Sequence, residues 1–188
     1  MIDTVAKKTT EKLINNDIIS FDDYDIYLYG LQLVYSTIVD FIGIILITFA
    51  LGWIKEAIIF LLIFSTLRVQ AGGYHAKTYL SCFIMTSLFV LVPIWGVKNL
   101  EVLKSLSFQG LIIFIAMIIF FIFAPKDTPN KPLSEREVKK YRRNSRILVT
   151  VYSLTIIVTC IYSKNLIEFC AIASLAVFIE SLTLIIND

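Results

Sequence analysis

The run "AIIFLLIFSTL" (Ala57–Leu67) decides how many times this chain enters a membrane. It is apolar but for one Ser-Thr pair, yet only about half the ~20 residues a helix needs to cross the hydrocarbon. Longer runs flank it. Gln32–Trp53 precedes it, and Ser81–Val97, Leu106–Ala124, Ile147–Ser163 and Leu166–Ile186 follow. Five full runs and one half-length run predict an all-α integral membrane protein with about six membrane segments, one of them short or broken. Composition points the same way. Of 188 residues, 57% are hydrophobic and 17% charged, with a mean hydropathy of +0.80, whereas soluble domains are nearer half apolar and a quarter charged.

Orientation turns on the same short run. Cytoplasmic loops accumulate Lys and Arg. If Ala57–Leu67 crosses, both termini share a side with Arg68–Lys77 and with "PKDTPNKPLSEREVKKYRRNSR" (Pro125–Arg146). That side then holds thirteen of the seventeen basic residues, and Lys55, Lys98, Lys104 and Lys164 lie opposite. A run that dipped in and returned would put the N-terminus opposite the basic loop. The asymmetry therefore favours six segments, with both termini cytoplasmic.

The whole of 1–188 reads as a single polytopic membrane domain without internal repeats. Residues 1–30 contain no apolar core of 7–15 residues of the kind a secretory signal needs, so targeting is expected from the first membrane helix. They read instead as an amphipathic N-terminal element. Val5, Leu13 and Ile14 form a stripe, and Lys7, Lys8, Glu11 and Lys12 lie on other faces. Such a helix can lie on headgroups or dock a substrate helix. Ser20, opening "SFDDYD" (Ser20–Asp25), is placed to cap the helix entering the membrane. After the fourth segment, Pro125, Pro129 and Pro132 break the chain. The basic cytoplasmic loop 125–146 is predicted helical from Ser134, with Glu137 completing a capping box and its cations facing anionic lipid.

Three cysteines without framework spacing do not suggest a disulfide scaffold. Cys160 and Cys170 sit in apolar runs and read as small hydrophobes. Asp40 and Glu180 are acids inside predicted crossings, where burial is expensive and a functional role is the default expectation. Lys55 and Glu56 beside Trp53 read as an interfacial anchor.

One stretch carries chemistry: "RVQAGGYHAKTYLSC" (Arg68–Cys82). It holds the only histidine, His75, seven residues before Cys82. A thiolate is the nucleophile, and an imidazole can take the thiol proton and later return it to a leaving group. Seven residues on a straight helix separate the two by ~10 Å along its axis, too far for the ~3 Å contact such a pair needs. A dyad therefore demands a break. Ala71-Gly72-Gly73 permits one, and Thr78 or Ser81 can cap a helix starting after the histidine. On residue types alone, a chance pairing and a hinge stay open as readings. One histidine and scattered cysteines are a poor match to four-ligand zinc. No phosphate-cradling, dinucleotide or serine-elbow pattern occurs, so no cofactor, metal or nucleic acid is expected.

This stretch, followed by an apolar segment and then "APKDTPNKPLSERE", resembles the accessory gene regulator protein B (AgrB) family, bacterial membrane endopeptidases of peptide quorum sensing. The resemblance covers nearly the whole chain. It rests on Arg-x-x-x-Gly-Gly-x-His-Ala, the cysteine seven residues after the histidine, and the Ala-Pro…Lys-Pro turn before a basic stretch. It implies a multi-pass protein of the bacterial cytoplasmic membrane with a cytoplasmic active site. His75 and Cys82 would be catalytic. Its substrate would be a short propeptide with an amphipathic helix, a central Cys or Ser and a charged C-terminal tail. Cleavage before the tail through a thioester would lead to a thiolactone or lactone ring. Gln32 corresponds to a position associated with activity and can donate to an oxyanion.

Further roles are open for three residues. Arg68 can bind a substrate carboxylate or hold a helix end. Gly73 matters through backbone shape. Glu180, at the end of the last segment assigned to the histidine's side, can orient His75 or pair with Arg68. Partners implied are the propeptide, membrane lipid and, as an open candidate, a second copy in a homodimer. Two rivals stand against the enzyme: a peptide transporter, with the broken segment as a gate, and a non-catalytic membrane scaffold.

Overall fold

The computed structural model describes residues 2–74, 78–126 and 133–186. The described residues are helical, joined by short turns: α1 (Ile2–Asn15), α2 (Tyr24–Ala50), α3 (Ile54–Ala71), α4 (Tyr79–Asn99), α5 (Leu106–Phe123), α6 (Glu135–Tyr162) and α7 (Ile167–Ile185). Among the described residues, five segments are long and apolar enough to cross a membrane, and they contain α2, α4, α5, α6 and α7. The protein is an all-α integral membrane protein. His75, Pro129 and Pro132 lie outside the described residues.

The half-length run belongs to a longer helix than its apolar residues indicate. α3 is unbroken over 18 residues, about 27 Å at 1.5 Å per residue. Charged side chains at both ends extend it. Near its start, Glu56 is buried and accepts from Lys98 Nζ of α4 at 2.5 Å, and the same amine reaches Glu168 Oε1 of α7 at 3.1 Å. Near its end, Arg68 reaches α7. Glu56 is therefore part of an ion-paired joint between three helices, where the sequence suggested an interfacial anchor with Lys55 beside Trp53.

The chain divides into two compact units, Met1–Ile47 and Thr48–Asp188. In the first, α1 and α2 are joined by polar contacts: Gln32 Nε2 donates to Asp3 Oδ1 (2.8 Å), and the hydroxyls of Thr9 and Tyr35 lie 3.0 Å apart. The expected stripe is shifted, because Ala6 and Thr10 are buried while Val5 is exposed. α1 closes with Asp17 at φ 54° and with bonds from Ile18 N to Leu13 O and from Asp17 N to Ile14 O. That is a left-handed helix stop, which aspartate tolerates better than most residues. Ser20 does not cap through its side chain. Its hydroxyl donates to the Asp23 carboxylate (2.9 Å), a charged acceptor placed three residues on.

In the second unit α7 is the most enclosed of the crossing helices, packed against α3, α4, α5 and α6. Ala171, Ala173, Ser174 and Ala176 are buried along it, and small residues let helix backbones approach where lipid supplies no hydrophobic drive. Phe60 and Phe64 stack at 5.7 Å beside Phe89. Two polar pairs tie α3 to α6, Thr66 with Tyr152 (2.9 Å) and Gln70 with Asn144 (3.1 Å). Gln109 of α5, almost fully buried, accepts from Cys160 Sγ (3.2 Å) and Ser174 Oγ (3.4 Å) and donates to Lys104 O (3.0 Å). Cys160 and Cys170 are buried as small hydrophobes would be, but Cys160 also serves this polar joint. At α6 the predicted capping box is present, Ser134 and Glu137 each bonding the other's backbone N–H.

Candidate active site

The motif stretch joins two separate helices. α3 stops at Ala71, and Gly72 turns the chain at φ 75°, its N–H bonded to Arg68 O (2.9 Å). α4 restarts at Tyr79 behind Thr78, whose side chain accepts from Ser81 N (3.2 Å). Cys82 follows in the first turn, half-buried, with its N–H on Thr78 O (2.9 Å) and its sulfur outside any disulfide. No single helix runs from α3 through to Cys82, which is the condition a histidine–thiol pair at this spacing requires. His75 itself lies outside the described residues.

The glycines are dictated by what surrounds them. A Cβ on Gly72 would stand 2.5 Å from the carbonyl oxygen of Lys126. That residue approaches because its N–H bonds Ala71 O (2.8 Å), clasping the end of α3. Gly73 has φ 134°, and a Cβ there would stand 2.4 Å from Thr183 Oγ1 and 2.7 Å from Arg68 Nη1. Both positions combine a backbone that L side chains rarely adopt with no room for one.

Arg68 is the hub of this end of the unit. Nη1 donates to Thr183 Oγ1 (3.1 Å) and lies 3.4 Å from Glu180 Oε2; Nη2 donates to the carbonyl of Tyr74. Its guanidinium also sits 5.7 Å from the centre of the Phe64 ring, within cation–π range. Glu180 is fully buried, and its Oε1 has no hydrogen-bond partner among the described residues. A carboxylate in such a place is expensive unless paired, and Arg68 is the pairing cation. Tyr74 N–H donates to Thr183 O (3.0 Å), and Lys126 Nζ donates to Ile186 O. The histidine-bearing connection is thus tied at its start to the last turn of α7.

Of the residues singled out in the sequence, Arg68, Gly73 and Glu180 come together here, and Cys82 stands at the next helix start. Gln32 belongs to the other unit, where its amide is engaged by Asp3. Asp40 lies half-buried on α2 of that unit. Two residues at the site escaped the sequence reading. Thr183 carries a local signal, its place three residues after Glu180 on one helix face. Lys126 carries none, because its role is made by backbone contact with Ala71.

The sequence model of the family described as Accessory gene regulator B matches residues 6–184. A putative AgrB-like protein of Clostridium perfringens is 28% identical over 174 residues, covering 88% of this chain and 80% of that one. The accessory gene regulator protein B of Staphylococcus aureus is 28% identical over 149 residues, covering 75% and 73%. The protein FsrB of Enterococcus faecalis is 27% identical over 127 residues, covering 67% and 52%. No solved structure matches the chain.

Proposed function

The chain belongs to the accessory gene regulator B family, and from that premise we propose that it is a membrane cysteine endopeptidase that trims a quorum-sensing propeptide. Cys82 is the nucleophile and His75 the base. His75 takes the thiol proton as sulfur attacks the carbonyl at the junction before the propeptide's charged tail. The C–N bond breaks, and the same proton passes to the departing amine. A thioester remains on Cys82. The propeptide's own Cys or Ser then attacks it, the C–S bond breaks, and a thiolactone or lactone forms with the Cys82 thiol restored. Keeping water from the thioester preserves the acyl group for ring closure, which suits a site at a membrane boundary.

The observation that supports this reading most directly is the interrupted helix. α3 ends at Ala71 and α4 begins at Tyr79, with Cys82 one turn inside it. A reactive pair seven residues apart needs that interruption. Arg68, Gly73 and Glu180 hold the connection, and Gln32, expected from the sequence to donate to the oxyanion, bonds Asp3 within the first unit. The distribution of Lys and Arg favours the cytoplasmic face of the cytoplasmic membrane for the site and for both termini.

Purified protein in lipid, incubated with candidate short propeptides and read by intact mass, tests the proposal. Wild type should release the tail and carry an acyl adduct that disappears in Cys82→Ala and His75→Ala. Undiminished tail release by Cys82→Ala removes the dyad. Unchanged peptide mass with every candidate, together with altered peptide location, favours a transporter or scaffold.

A further inference from the structure

We propose that the groove between α3 and α6 seats one anionic phospholipid of the bilayer, with an acyl chain in the groove and the phosphate on Lys140 and Arg143. The groove encloses about 530 Å³, within the range of small-molecule sites. Its apolar walls are Val69 of α3 and Ile147, Leu148 and Val151 of α6, and Val69, Ile147 and Val151 are exposed. Ile147 opens the apolar run of α6, which puts the residues one turn before it at headgroup level. Arg143 stands one turn before Ile147 and Lys140 one turn before Asn144, a further groove residue, so both cations lie on the groove's side of the helix. Both are exposed, and neither has an ion-pair partner among the described residues.

The polar groups of the groove are graded in the same direction. At its deep end the Tyr152 hydroxyl lies 2.9 Å from Thr66 Oγ1, whose own proton goes back to Leu62 O (2.6 Å). The tyrosine therefore donates to the threonine, and no unpaired donor faces an acyl chain there. At the mouth, Asn144 Nδ2 donates to Gln70 Oε1 (3.1 Å). That leaves the Gln70 amide N–H groups to donate to a phosphate or ester oxygen. Basic pockets between membrane helices on the cytoplasmic side take lipid headgroups, and the distribution of Lys and Arg favours that side for this end of α6. Charge and size also choose among occupants. A second copy docked by the same face would set Lys140 and Arg143 against identical cations. An acidic peptide would answer the cations, but a helix about 10 Å across is too wide for this volume over the roughly 12 Å of α6 from Asn144 to Tyr152. An extended peptide would carry unpaired backbone groups into the apolar stretch, and a lipid chain carries none.

The test needs no propeptide. Full-length protein is extracted in mild detergent from vesicles of phosphatidylcholine and phosphatidylglycerol and weighed by native mass spectrometry. Wild type should retain one phosphatidylglycerol per chain in preference to phosphatidylcholine, and titration of the delipidated protein with phosphatidylglycerol gives the affinity. Lys140→Gln with Arg143→Gln should weaken binding about thirtyfold, from roughly fivefold for each cation near the headgroups. Lys139→Gln with Arg142→Gln removes the same charge from the neighbouring side of α6 and should weaken it by under about threefold, having lost only the diffuse attraction. Val151→Trp fills the groove without touching a charge and should weaken binding about tenfold, as the displacement of two buried methylenes does. If the tryptophan lowers the unfolding midpoint, Ile147→Phe decides in its place. Equal weakening by the two charge-removing pairs overturns the site in favour of diffuse attraction to the bilayer surface. Full retention in the folded groove-filling variant overturns the acyl seat. A lipid-free dimer that Val151→Trp splits into monomers overturns it too, and gives the groove to a second copy.

Discussion

Gly73 and Thr183 are in such close approach that a methyl group on the glycine would stand 2.4 Å from the threonine hydroxyl oxygen. A Cβ also conflicts with Arg68 Nη1 at 2.7 Å and with a φ of 134°. Gly73→Ala must then move the loop, the arginine or the end of α7. We predict that tail release falls at least tenfold, of the order expected when reacting groups shift by a fraction of an ångström. Single-turnover kinetics of acyl-adduct formation check this. A Gly73→Ala protein that acylates at the wild-type rate refutes the tight registration of the loop on α7.

Gly72 faces a different obstacle, the backbone carbonyl of Lys126 at 2.5 Å. A side chain can swing aside, but a carbonyl held beside the Lys126 N–H bond to Ala71 cannot. Gly72→Ala should therefore destabilise the protein, by more than the ~1 kcal/mol that the same change adds to stability where the backbone suits alanine. Thermal unfolding in detergent measures it, and an unchanged midpoint counts against the clasp.

Arg68 and Glu180 should respond unequally. The arginine side chain retains 22% exposure and the glutamate none. Removing the arginine strands a fully buried carboxylate, which typically costs about 3–5 kcal/mol. Removing the charge of the glutamate leaves a partly exposed guanidinium with Thr183 and Tyr74 still accepting from it. Arg68→Ala should therefore lower the unfolding midpoint well below that of Glu180→Gln, and the double variant should recover part of the loss. Equal midpoints for the two single variants contradict the pairing.

These three pairs show where the sequence was readable. The long apolar runs announce their helices, because a crossing is a local property of composition. The capping box at Ser134 and Glu137 was also readable, since both partners lie within one turn. The true length of α3 was not, because Glu56 finds Lys98 42 residues away, whereas the pairing of Arg68 with Glu180, 112 residues away, was one of the two roles the sequence offered for the glutamate. An apolar count stops at the first charge and cannot know that the charge will be paired. Ser20 has the residue type of a cap, but its side chain accepts from no helix amide and its hydroxyl donates to the Asp23 carboxylate. The Gly-Gly pair indicated a turn, but only the approach of Thr183 and Lys126 explains why no side chain is admitted there.

The joint at the other end of α3 yields a further prediction. Lys98 Nζ is shared by Glu56 and Glu168, whose side chains are 11% and 36% exposed. Lys98→Met leaves two carboxylates facing each other without a cation, so it should cost roughly 1–3 kcal/mol, below the range of a fully buried pair. Glu168→Gln, at the wetter partner, should cost under about 1 kcal/mol. Unfolding midpoints measured side by side give the ranking, and a Lys98→Met protein as stable as wild type would show that the joint carries no net stabilisation.

Gln32 permits a test of its chemistry against its architecture. Its amide donates to Asp3 in the structure, so losing Gln32 activity has two possible causes: loss of a donor to the substrate, or loss of the α1–α2 joint. The two separate in a double-mutant cycle. As an oxyanion donor, Gln32 should be worth about 10²–10³ in turnover, and Asp3→Ala, which frees the amide, should leave turnover within about twofold of wild type. As a strut, Gln32→Ala and Asp3→Ala should lower activity equally, and the double variant no further than either. We expect the second pattern, because the bond to Asp3 is the one the Gln32 amide makes in the structure. Equal, non-additive losses would assign Gln32 to the joint and leave the oxyanion to another donor, whereas a loss in Gln32→Ala alone would return it to the oxyanion.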